Sequence, residues 1–434
     1  MSLYGALNIG VAGLSANSIA LSATSSNIAN VNTVGYKEQT ANFETFLNAP
    51  GLVGNASAGV AAVIGQDVTS QGLPTQTSSP TDLSISGNGF FVVSTNSGGT
   101  GTQEYTRAGS FTPDASGNLK NAAGLYLLGY QLDSQGNTPT NSSQLSLINV
   151  TNLAGKAQAT STMTFQANLD SNSTVDATYA AGDMAAGTAT PDFQHTVNIF
   201  DSQGGVQPVT LSFIKTGANA WAYEASYAGA AANISSANPI GTGTVSFNSD
   251  GSLATVNGAA PASGSFNLTV PWAASTGLAS QTIAVSLGTP SSTSGLTQVD
   301  SPSSFTGANP NGTPFGNVTG VTVADDGTVT AQFSNGLSQD VYKVPLATFA
   351  DPDGLGQVNG NAYVATKSSG AAAINIANTG PAGSVASHSL EASTVDLATE
   401  FTNLITTQRA YSASARIITT ADQMLQQLEQ LPSN

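Results

Sequence analysis

The sequence contains no cysteine and few charged side chains. Without a thiol, the chain can form no disulfide bond, no thiolate metal site and no cysteine nucleophile. The 9 basic residues are outnumbered by 25 acidic ones, and the formal net charge is -16. Because nucleic acids and acidic membranes are bound by clustered lysine and arginine, this composition argues against both as partners.

Residues suited to a catalytic role are also scarce. The two histidines, His195 and His388, lie far apart among polar residues and are expected to be exposed or structural. No nucleophile elbow or phosphate-binding loop occurs. The enzyme hypothesis rests on carboxylates, which could form a glycosidase-like acid pair. However, the candidates lie in turns, where aspartate bonds the following backbone: Asp250, Asp325, Asp326 and Asp353. We therefore expect no catalytic site, cofactor, metal site or small-molecule substrate.

The N-terminus has some features of a secretory signal. Leu3 to Ala23 is uncharged and moderately apolar, but polar residues interrupt it, and the first charge of any kind is Lys37. A cleaved signal would carry positive charge before its apolar region. Elsewhere in the chain, no stretch is expected to supply the ~20 apolar residues that span a bilayer. We expect export without a cleaved signal peptide, and the absence of cysteine suits an oxidising exterior.

Apolar residues recur every seven positions at both ends of the chain, an interval typical of helices that pack along a seam. The N-terminal seam consists of Leu7, Leu14, Leu21 and Ile28, and the C-terminal seam of Leu397, Leu404, Tyr411, Ile418 and Leu425.

The N-terminal seam lies in a segment that is a weak helix by itself. It contains Gly5, Gly10 and Gly13, and each helical glycine costs about 1 kcal/mol relative to alanine. Its polar face is uncharged, which suits crowding against identical copies, where repeated like charges would repel. We expect the two seams to pair as a coiled-coil-like axial core that becomes ordered on assembly. The alternative is two amphipathic helices, each packed on its own domain.

Strand patterns fill the middle of the chain. Alternating apolar residues flank glycine turns within Val197–Phe213, Val245–Val256 and Val321–Phe333, and Asn335-Gly336 predicts a further reversal. Three polar stretches are predicted to be linkers or domain crossings: Asn48–Gly72, Ser171–Thr190 and Thr289–Gly316. The second of them could instead be a long surface loop. The predicted fold class is α+β, mainly β, with nested β-domains inserted between the N- and C-terminal helices.

This nesting predicts four parts, three of which are built from two stretches of chain. They are a terminal helical core (1–30 with 388–434), an extended connecting segment (31–72 with 366–387), an inner β-domain (73–155 with 312–365) and an outer inserted β-domain (156–311).

Several motifs resemble the signatures of the flagellar axial proteins, the rod and hook subunits, and they occur along the chain in the order expected of that family. They are Ser26–Lys37, Asp82–Val92, Tyr105–Phe111 and the C-terminal pair Ser389–Leu397 and Gln408–Tyr411. Carried over position by position, the terminal motifs comprise Asn27, Ile28, Ala29, Asn30, Asn32, Thr33, Gly35, Tyr36, Lys37, Leu390, Glu391, Val395, Asp396, Leu397, Gln408 and Arg409.

The chain departs from the family pattern in places. Ser22 stands where an acidic residue is common, Thr394 where asparagine is usual, and Ser414 where asparagine often follows tyrosine. Ser226 to Asn311 matches no family pattern, so the resemblance implies nothing about contacts of the outer domain.

The stretch Phe193–Glu224 is similar to a β-domain that hook subunits insert and rod subunits lack. The resemblance therefore implies a structural subunit of the bacterial flagellar hook, outside the cell. Such subunits form a curved, flexible helical homopolymer, a universal joint that passes torque from rod to filament. Implied partners are other copies of the chain, the distal rod protein, the hook–filament junction protein, and the hook cap and export apparatus during assembly. The alternatives are a distal rod subunit and a non-flagellar secreted β-rich adhesin.

Overall fold

The computed structural model of the protein describes residues 3–46, 59–98, 101–133, 136–139, 144–151, 153–258 and 264–429. The chain forms two compact units. Unit 1 comprises Met1–Leu153, Thr319–Gln332 and Ser338–Asn434, and unit 2 comprises Ala154–Val318 and Phe333–Leu337. Unit 2 is therefore inserted into the chain of unit 1. The boundaries of the four parts expected from the sequence stay predictions.

The two long helices are formed by the chain ends. The helices are α1 (Leu3–Ala29), α2 (Asp183–Ala186) and α3 (Leu397–Glu429), with short 3-10 turns at Ala231–Asn233, Ala274–Thr276 and Pro352–Gly354. α1 and α3 pack on each other in unit 1. A Cβ atom added to Gly10 would lie 3.0 Å from Ile418, so this glycine lets the helices approach closely. The amide of Thr394, just before α3, donates to the carbonyl of Tyr36, just after α1, at 3.1 Å. The helices therefore run antiparallel.

The face that α1 buries consists of small and polar side chains at helical spacing rather than of the seven-residue seam. These side chains are Ala16, Ala20, Ala23, Thr24 and Asn27. The seam itself is half-buried, and Val11 beside it is 51% exposed. A single chain therefore leaves much of the apolar surface of α1 uncovered.

The segment Gly5–Ala29 is long and apolar enough, by length and composition, to cross a bilayer. This is the N-terminal segment compared above with a secretory signal, and no other candidate occurs in the part of the chain that the structure describes. In this structure the helix packs along α3 and β2 (Gly59–Gln66).

The first pass of the chain through unit 1 forms short strands. They are β1 (Gln39–Phe46), β2, β3 (Pro74–Gln76), β4 (Leu83–Ser86), β5 (Phe90–Ser94), β6 (Gln103–Thr106), β7 (Phe111–Pro113), β8 (Leu119–Asn121), β9 (Tyr126–Gln131) and β10 (Ser146–Leu147). β1 and β2 pair antiparallel over their whole length and lie against α1.

The strands of unit 2, including those at its borders, follow. They are β11 (Lys156–Gln158), β12 (Thr162–Asp170), β13 (Phe193–Phe200), β14 (Val206–Gly217), β15 (Ala220–Tyr227), β16 (Gly241–Phe247), β17 (Leu253–Val256), β18 (Ser265–Val270), β19 (Gln281–Ser286), β20 (Leu296–Val299), β21 (Ser304–Pro310) and β22 (Thr313–Gly316). β13 to β17 form an antiparallel sheet in chain order, and a second sheet has the order β18-β19-β12-β20 with β21 on β12. Side chains of both sheets share one core around the fully buried Trp221 and Phe165.

The return pass completes unit 1. Its strands are β23 (Val318–Val323), β24 (Thr328–Phe333), β25 (Ser338–Lys343), β26 (Pro345–Thr348), β27 (Gly356–Val358), β28 (Ala362–Val364), β29 (Ala373–Ile376), β30 (Ser384–Ser387) and β31 (Ser389–Glu391). The main sheet has the order β23-β24-β25-β9-β5-β6-β28-β27, so both passes contribute to it. β3 pairs with β31 and β4 with β30, which places early and late strands side by side near the helices.

The predicted fold class is confirmed, and so are the predicted hairpins. β13 and β14 pair around Gly204-Gly205, β16 and β17 around Asp250-Gly251, and β24 and β25 around Asn335-Gly336. Each turn carries a glycine with positive φ, a backbone conformation that other residues adopt only with strain.

Two of the three predicted linkers contain strands instead. β2 lies in Asn48–Gly72, of which residues 48–58 lie outside the described residues, and β20 to β22 lie in Thr289–Gly316. The linker prediction is wrong for these two stretches. Their strands pair with β1, β12 and β11, because the backbone groups of those strands need hydrogen-bond partners.

The middle stretch, Ser171–Thr190, is an ordered surface loop, as the alternative interpretation had it. The buried carboxylate of Glu224 accepts hydrogen bonds from the Tyr179 hydroxyl and the amides of Gly182 and Ala185, each at 2.8 Å. The Met184 amide donates to the same carboxylate at 3.2 Å, so one side chain on β15 binds four residues of the loop.

Candidate functional site

The chain leaves α1 through a turn that is closed by one buried amide side chain. The Asn27 Nδ2 group donates to the carbonyl of Gln39 at 2.8 Å, and Asn27 Oδ1 accepts from the Gln39 amide at 2.9 Å. The Tyr36 hydroxyl donates to the same Oδ1 atom at 3.2 Å. Asparagine is suited to this position because it offers a donor and an acceptor to one peptide unit. The start of β1 is thereby bound to the end of α1.

Two further side chains shape the turn itself. Asn30 Nδ2 donates to the Ser26 carbonyl at 2.9 Å, and the Thr33 hydroxyl donates to Asn30 Oδ1 at 3.0 Å. Gly35 adopts φ +66°, and a Cβ atom there would lie 2.7 Å from the backbone of Arg107. Glycine is required at this position both by its conformation and by the close approach of the β6–β7 connection.

Lys37, Arg107 and Glu391 form a buried cluster that we name the ionic junction. The Lys37 ammonium lies 2.5 Å from Glu391 Oε1, and Arg107 Nη1 donates to Glu391 Oε2 at 3.2 Å. All three side chains are at least 97% buried. Lys37 also donates to the Ser70 carbonyl, and the Gly72 amide donates to Glu391 Oε1 at 2.9 Å. One carboxylate therefore binds three segments that are distant in sequence.

Burial dominates the electrostatics of this cluster. Loss of hydration lowers the pKa of the Lys37 amine, and the negative charge of Glu391 opposes that shift. The same two effects, in the same order, lower the pKa of the Arg107 guanidinium. Arg107 gains further contacts by donating to the Gly87 carbonyl at 2.9 Å and by lying 5.2 Å from the ring centre of Phe90. Two cations thus face one anion in a nearly dry site.

The C-terminal motif reaches the junction through β31. Glu391 stands opposite Pro74 in the β3–β31 ladder, and its carbonyl accepts from the Gly35 amide at 2.8 Å. The Thr394 hydroxyl accepts from the Glu38 amide at 2.9 Å, so threonine serves this position where asparagine is usual. Asp396 Oδ1 accepts from two amides in the first turn of α3, Ala398 at 2.8 Å and Thr399 at 3.0 Å, and thereby caps the helix.

The structure therefore places some of the predicted terminal-motif residues around the ionic junction and the others away from it. The motif residues buried around the junction are Asn27, Gly35, Tyr36, Lys37, Glu391 and Val395. Half-buried positions beside them are Ile28, Asn30, Thr33 and Leu390, and the exposed ones are Ala29, Asn32, Asp396, Leu397, Gln408 and Arg409. Gln408 and Arg409 lie on α3, more than fifteen residues after Glu391 in the sequence. Their predicted role stays a prediction.

The predicted assembly core occupies the flanks of the paired helices. Leu7, Leu14, Leu21, Ile28, Leu404, Tyr411, Ile418 and Leu425 are half-buried, and Leu397 is 40% exposed. α3 carries further exposed apolar side chains, Phe401, Ile405, Ile417 and Met424. The helix pair thus retains apolar surface on more than one face, the pattern expected of a surface that contacts other molecules.

Two of the four carboxylates considered for catalysis bind the backbone of their own turns, and a third binds a distant amide. Asp250 and Asp326 each accept a hydrogen bond from the amide two residues on, and Asp353 accepts from the Val68 amide. Burial raises the pKa of the Asp326 carboxyl, but its hydrogen bonds with Lys343, at 2.6 Å, and with Thr328 outweigh this effect and lower the pKa to about 2. His195 stacks on Phe305 with ring centres 3.5 Å apart. No cluster of His, Asp and Glu able to hold a metal occurs among the described residues.

Sequence reasoning missed the importance of Arg107. It lies inside a recognised motif, yet nothing in that motif indicates that its guanidinium would meet a glutamate 284 positions later. The local sequence carries no signal for this pairing, since Glu104 lies only three positions before Arg107 and would be the nearer candidate partner.

Four stretches of the chain match known families. Residues 7–37 match the flagella basal body rod protein, and 84–163 match the D1 domain of the flagellar hook protein FlgE/F/G. Residues 168–313 match the D2 domain of the flagellar basal body protein FlaE, and 386–431 match the C-terminal region of the flagellar basal body rod FlgEFG proteins. The expectation that Ser226 to Asn311 matches no family pattern is therefore wrong, because the D2 match covers this stretch.

Individual proteins are similar over their whole length. The flagellar hook protein of Caulobacter vibrioides is 33% identical, over 99% of both chains. That of Rhizobium meliloti is 33% identical over 99% of this chain and 100% of its own, and that of Escherichia coli is 33% identical over 97% and 98%.

Two solved structures are similar more distantly. The crystal structure of Helicobacter pylori flagellar hook protein FlgE2 is 13% identical over 72% of this chain and 98% of its own, with a TM-score of 0.41. A 32 kDa fragment of the hook protein from Caulobacter crescentus is 18% identical over 56% and 93%, with a TM-score of 0.27. Assignment to a family rests on the sequence relatives.

The charge balance of the ionic junction predicts an asymmetry between two variants. Lys37→Met leaves Arg107 paired with Glu391, whereas Glu391→Gln leaves two buried cations without an anion. Breaking a buried pair costs about 3–5 kcal/mol, so we expect Glu391→Gln to reach that range and Lys37→Met to cost clearly less. Urea unfolding followed by circular dichroism measures both. An equal or larger loss in Lys37→Met would contradict the assigned balance.

Proposed function

The chain belongs to the family of flagellar hook proteins, and we propose that it polymerises through its terminal helices into a curved tube that acts as a universal joint between rod and filament. As a member of this family it is a structural subunit of the flagellar hook. The observation that carries the mechanism is the apolar surface that the helix pair leaves uncovered in one chain, with Ile405 51% and Phe401 52% exposed.

Lateral packing of helix pairs would form the inner wall of the tube. α1 has no charged residue, so copies can crowd around one axis without repulsion between like charges. The seam residues Leu7, Leu14 and Leu21 would complete their burial against neighbouring copies. Order of the helices would then increase on assembly, because each copy supplies the partner that a glycine-containing helix lacks.

The β-rich units would form the outer layers and carry the flexibility. Their surfaces are rich in threonine, serine and asparagine and poor in charge. Contacts bridged by water between such surfaces can slide, whereas networks of ion pairs would fix one register. The ionic junction supports this division because it fastens α1 and β31 to the β-sheet of unit 1, so torque on the helical wall passes to the outer layers without unfolding the connection.

Specific partners follow from this position in the flagellum. A hook subunit would contact other copies of itself, the distal rod protein at one end, and the hook–filament junction protein at the other. The hook cap and the export apparatus would handle it during assembly, and export would require no cleaved signal peptide. We propose no catalytic activity.

The two alternative functions, a distal rod subunit and a secreted adhesin, have less support than a hook subunit. A distal rod subunit would share the terminal motifs, but the match of 168–313 to a D2 domain and the full-length similarity to hook proteins favour the hook. A secreted β-rich adhesin has no comparable support among these relatives.

Assembly through the helices can be tested with two matched variants. Ile405→Asp places a charge on the exposed face of α3, and Val206→Asp places one on a side chain of unit 2 that is 54% exposed. Both should fold normally, since neither side chain is buried. In electron micrographs of the purified proteins, we expect curved tubes from the wild type and from Val206→Asp, and none from Ile405→Asp. Globular monomers of the wild type under all assembly conditions would refute the proposal.

The turn after α1 provides a second test. Gly35→Val forces a β-branched residue into a positive φ, which costs roughly 1–2 kcal/mol, and also clashes with the backbone at Arg107. We expect this variant to lose assembly while its β-sheets stay folded by circular dichroism. Gly124→Val is the control, since Gly124 has φ +87° but open space around its Cβ position. Normal tubes from Gly35→Val would show that the turn is not needed for assembly.

A further inference from the structure

The ionic junction contains one positive charge more than its carboxylate balances. Lys37 and Arg107 both bind the single carboxylate of Glu391, and all three side chains are at least 97% buried. Asp67 adds its negative charge from the Lys37 side, but it is exposed, so water screens its effect. Because an unbalanced charge in a dry site is unfavourable, a further anion close to the junction would be bound favourably.

The surplus charge is accompanied by an unused hydrogen-bond donor on Arg107. Its Nη1 group donates to Glu391 at 3.2 Å, and its Nη2 group donates to the Gly87 carbonyl at 2.9 Å. The Nε group is buried and has no acceptor among the described residues. Since a guanidinium holds its N–H groups in one rigid fork, Nε cannot turn to another acceptor while both Nη groups are bound. This donor is therefore fixed in direction.

Arg107 lines a cavity of about 540 Å³ in unit 1. It is the only charged residue among the described residues of the cavity wall, and the rings of Phe90 and Phe349 form part of the apolar remainder. Arg107 is buried, whereas two other wall residues, Thr69 and Ala371, are exposed. The cavity therefore leads from the surface to the buried guanidinium.

The chemistry of this cavity favours a carboxylate as its ligand. A charged N–H donor forms its strongest hydrogen bonds with an anionic oxygen. The apolar wall suits the short hydrocarbon stem that carries the carboxylate in aspartate and glutamate. Asp353 lies beside the cavity, but its carboxylate is exposed and accepts from the Val68 amide at 3.0 Å. It leaves Nε without a partner.

We propose that this cavity is a carboxylate-binding site, and that an aspartate or glutamate of a second copy enters it in the polymer and pairs with Arg107. Charge favours a second copy as the source, because acidic residues outnumber basic ones by 25 to 9. Exposed carboxylates such as those of Glu44, Asp300 and Asp351 take part in no ion pair among the described residues. One of them would complete a site of two cations and two anions.

This inference rests on the proposed function only for the source of the carboxylate. Binding of a free carboxylate is a property of the single chain, whereas occupation by a second copy requires assembly. In the polymer, the contact would join the ionic junction of one copy to the surface of the next, so force at the junction would pass between subunits.

Nuclear magnetic resonance of the arginine side chains tests the site directly. The chain contains three arginines, Arg107, Arg409 and Arg416, and the last two are exposed on α3. In soluble, full-length protein with isotope-labelled arginine, we expect sodium propionate to shift the Nε–H signal of Arg107 saturably at constant ionic strength. The signals of the other two arginines should change little. Propanol, an uncharged molecule of similar size, should shift none of the three.

Three variants separate the effect of charge from that of access. Lys37→Met removes the surplus charge without changing the cavity wall, and we expect the Kd for propionate to rise by roughly tenfold through the lost Coulomb attraction. Lys343→Met removes a cation that is paired with Asp326 and should bind propionate like the wild type. Should Lys37→Met fail to fold, Ala371→Phe still tests the site, because it narrows the cavity from an exposed position and should also weaken binding.

The same signal in assembled tubes identifies the source of the carboxylate. In solid-state spectra, the Nε–H signal of Arg107 should already be shifted as it is by propionate, and added propionate should move it no further. The absence of a saturable shift in the soluble protein would overturn the carboxylate site. A signal that still responds to propionate in the tubes would overturn the second copy as its source. If no tubes form, the proposed function fails, while the soluble spectra still decide whether the cavity binds a carboxylate.

Discussion

The carboxylate of Glu391 binds two cations, Lys37 and Arg107, in a site almost closed to water, and the connection between the helices and the β-sheet depends on this contact. Removing charged groups from water costs several kcal/mol for each ion, and the Coulomb attraction offsets this only when the geometry is right. That geometry requires β31 to pair with β3, the Gly35 turn to approach Arg107, and Asn27 to hold the start of β1. Pairing the single carboxylate of Glu391 therefore holds three segments of the chain in place: the β3–β31 ladder, the Gly35 turn and the start of β1.

In the proposed joint, the helices and the β-units would have different mechanical roles because their surfaces differ. α1 buries small side chains against its own chain and leaves its leucines half-covered, so the helix pair remains suited to further apolar contact. Unit 2 instead packs its main apolar core around Trp221, and the carboxylate of Glu224 binds its long loop. Unit 2 thus contains a closed apolar core, whereas the leucines of α1 stay half-covered.

Much of the fold could be predicted because its signals are local. Glycine turns between alternating apolar residues predicted the hairpins, and seven-residue seams predicted the terminal helices. The partners of buried charges could not be predicted, since Arg107, Lys37 and Glu391 meet only through strand pairings between the two ends of the chain. The composition of Thr289–Gly316 predicts a linker or domain crossing for the same reason: its strands are stabilised by ladders with β12 and β11 rather than by their own composition.

The central claim is that the ionic junction stays intact while the uncovered helix faces become buried between subunits. A helical reconstruction of the assembled tube by cryo-electron microscopy, at a resolution that shows side chains, tests it most directly. The account predicts Leu14 and Ile405 in contact with neighbouring copies and Glu391 still bound to Lys37 and Arg107. A tube in which the exposed face of α3 touches no other subunit, or in which Glu391 has separated from both cations, would contradict it.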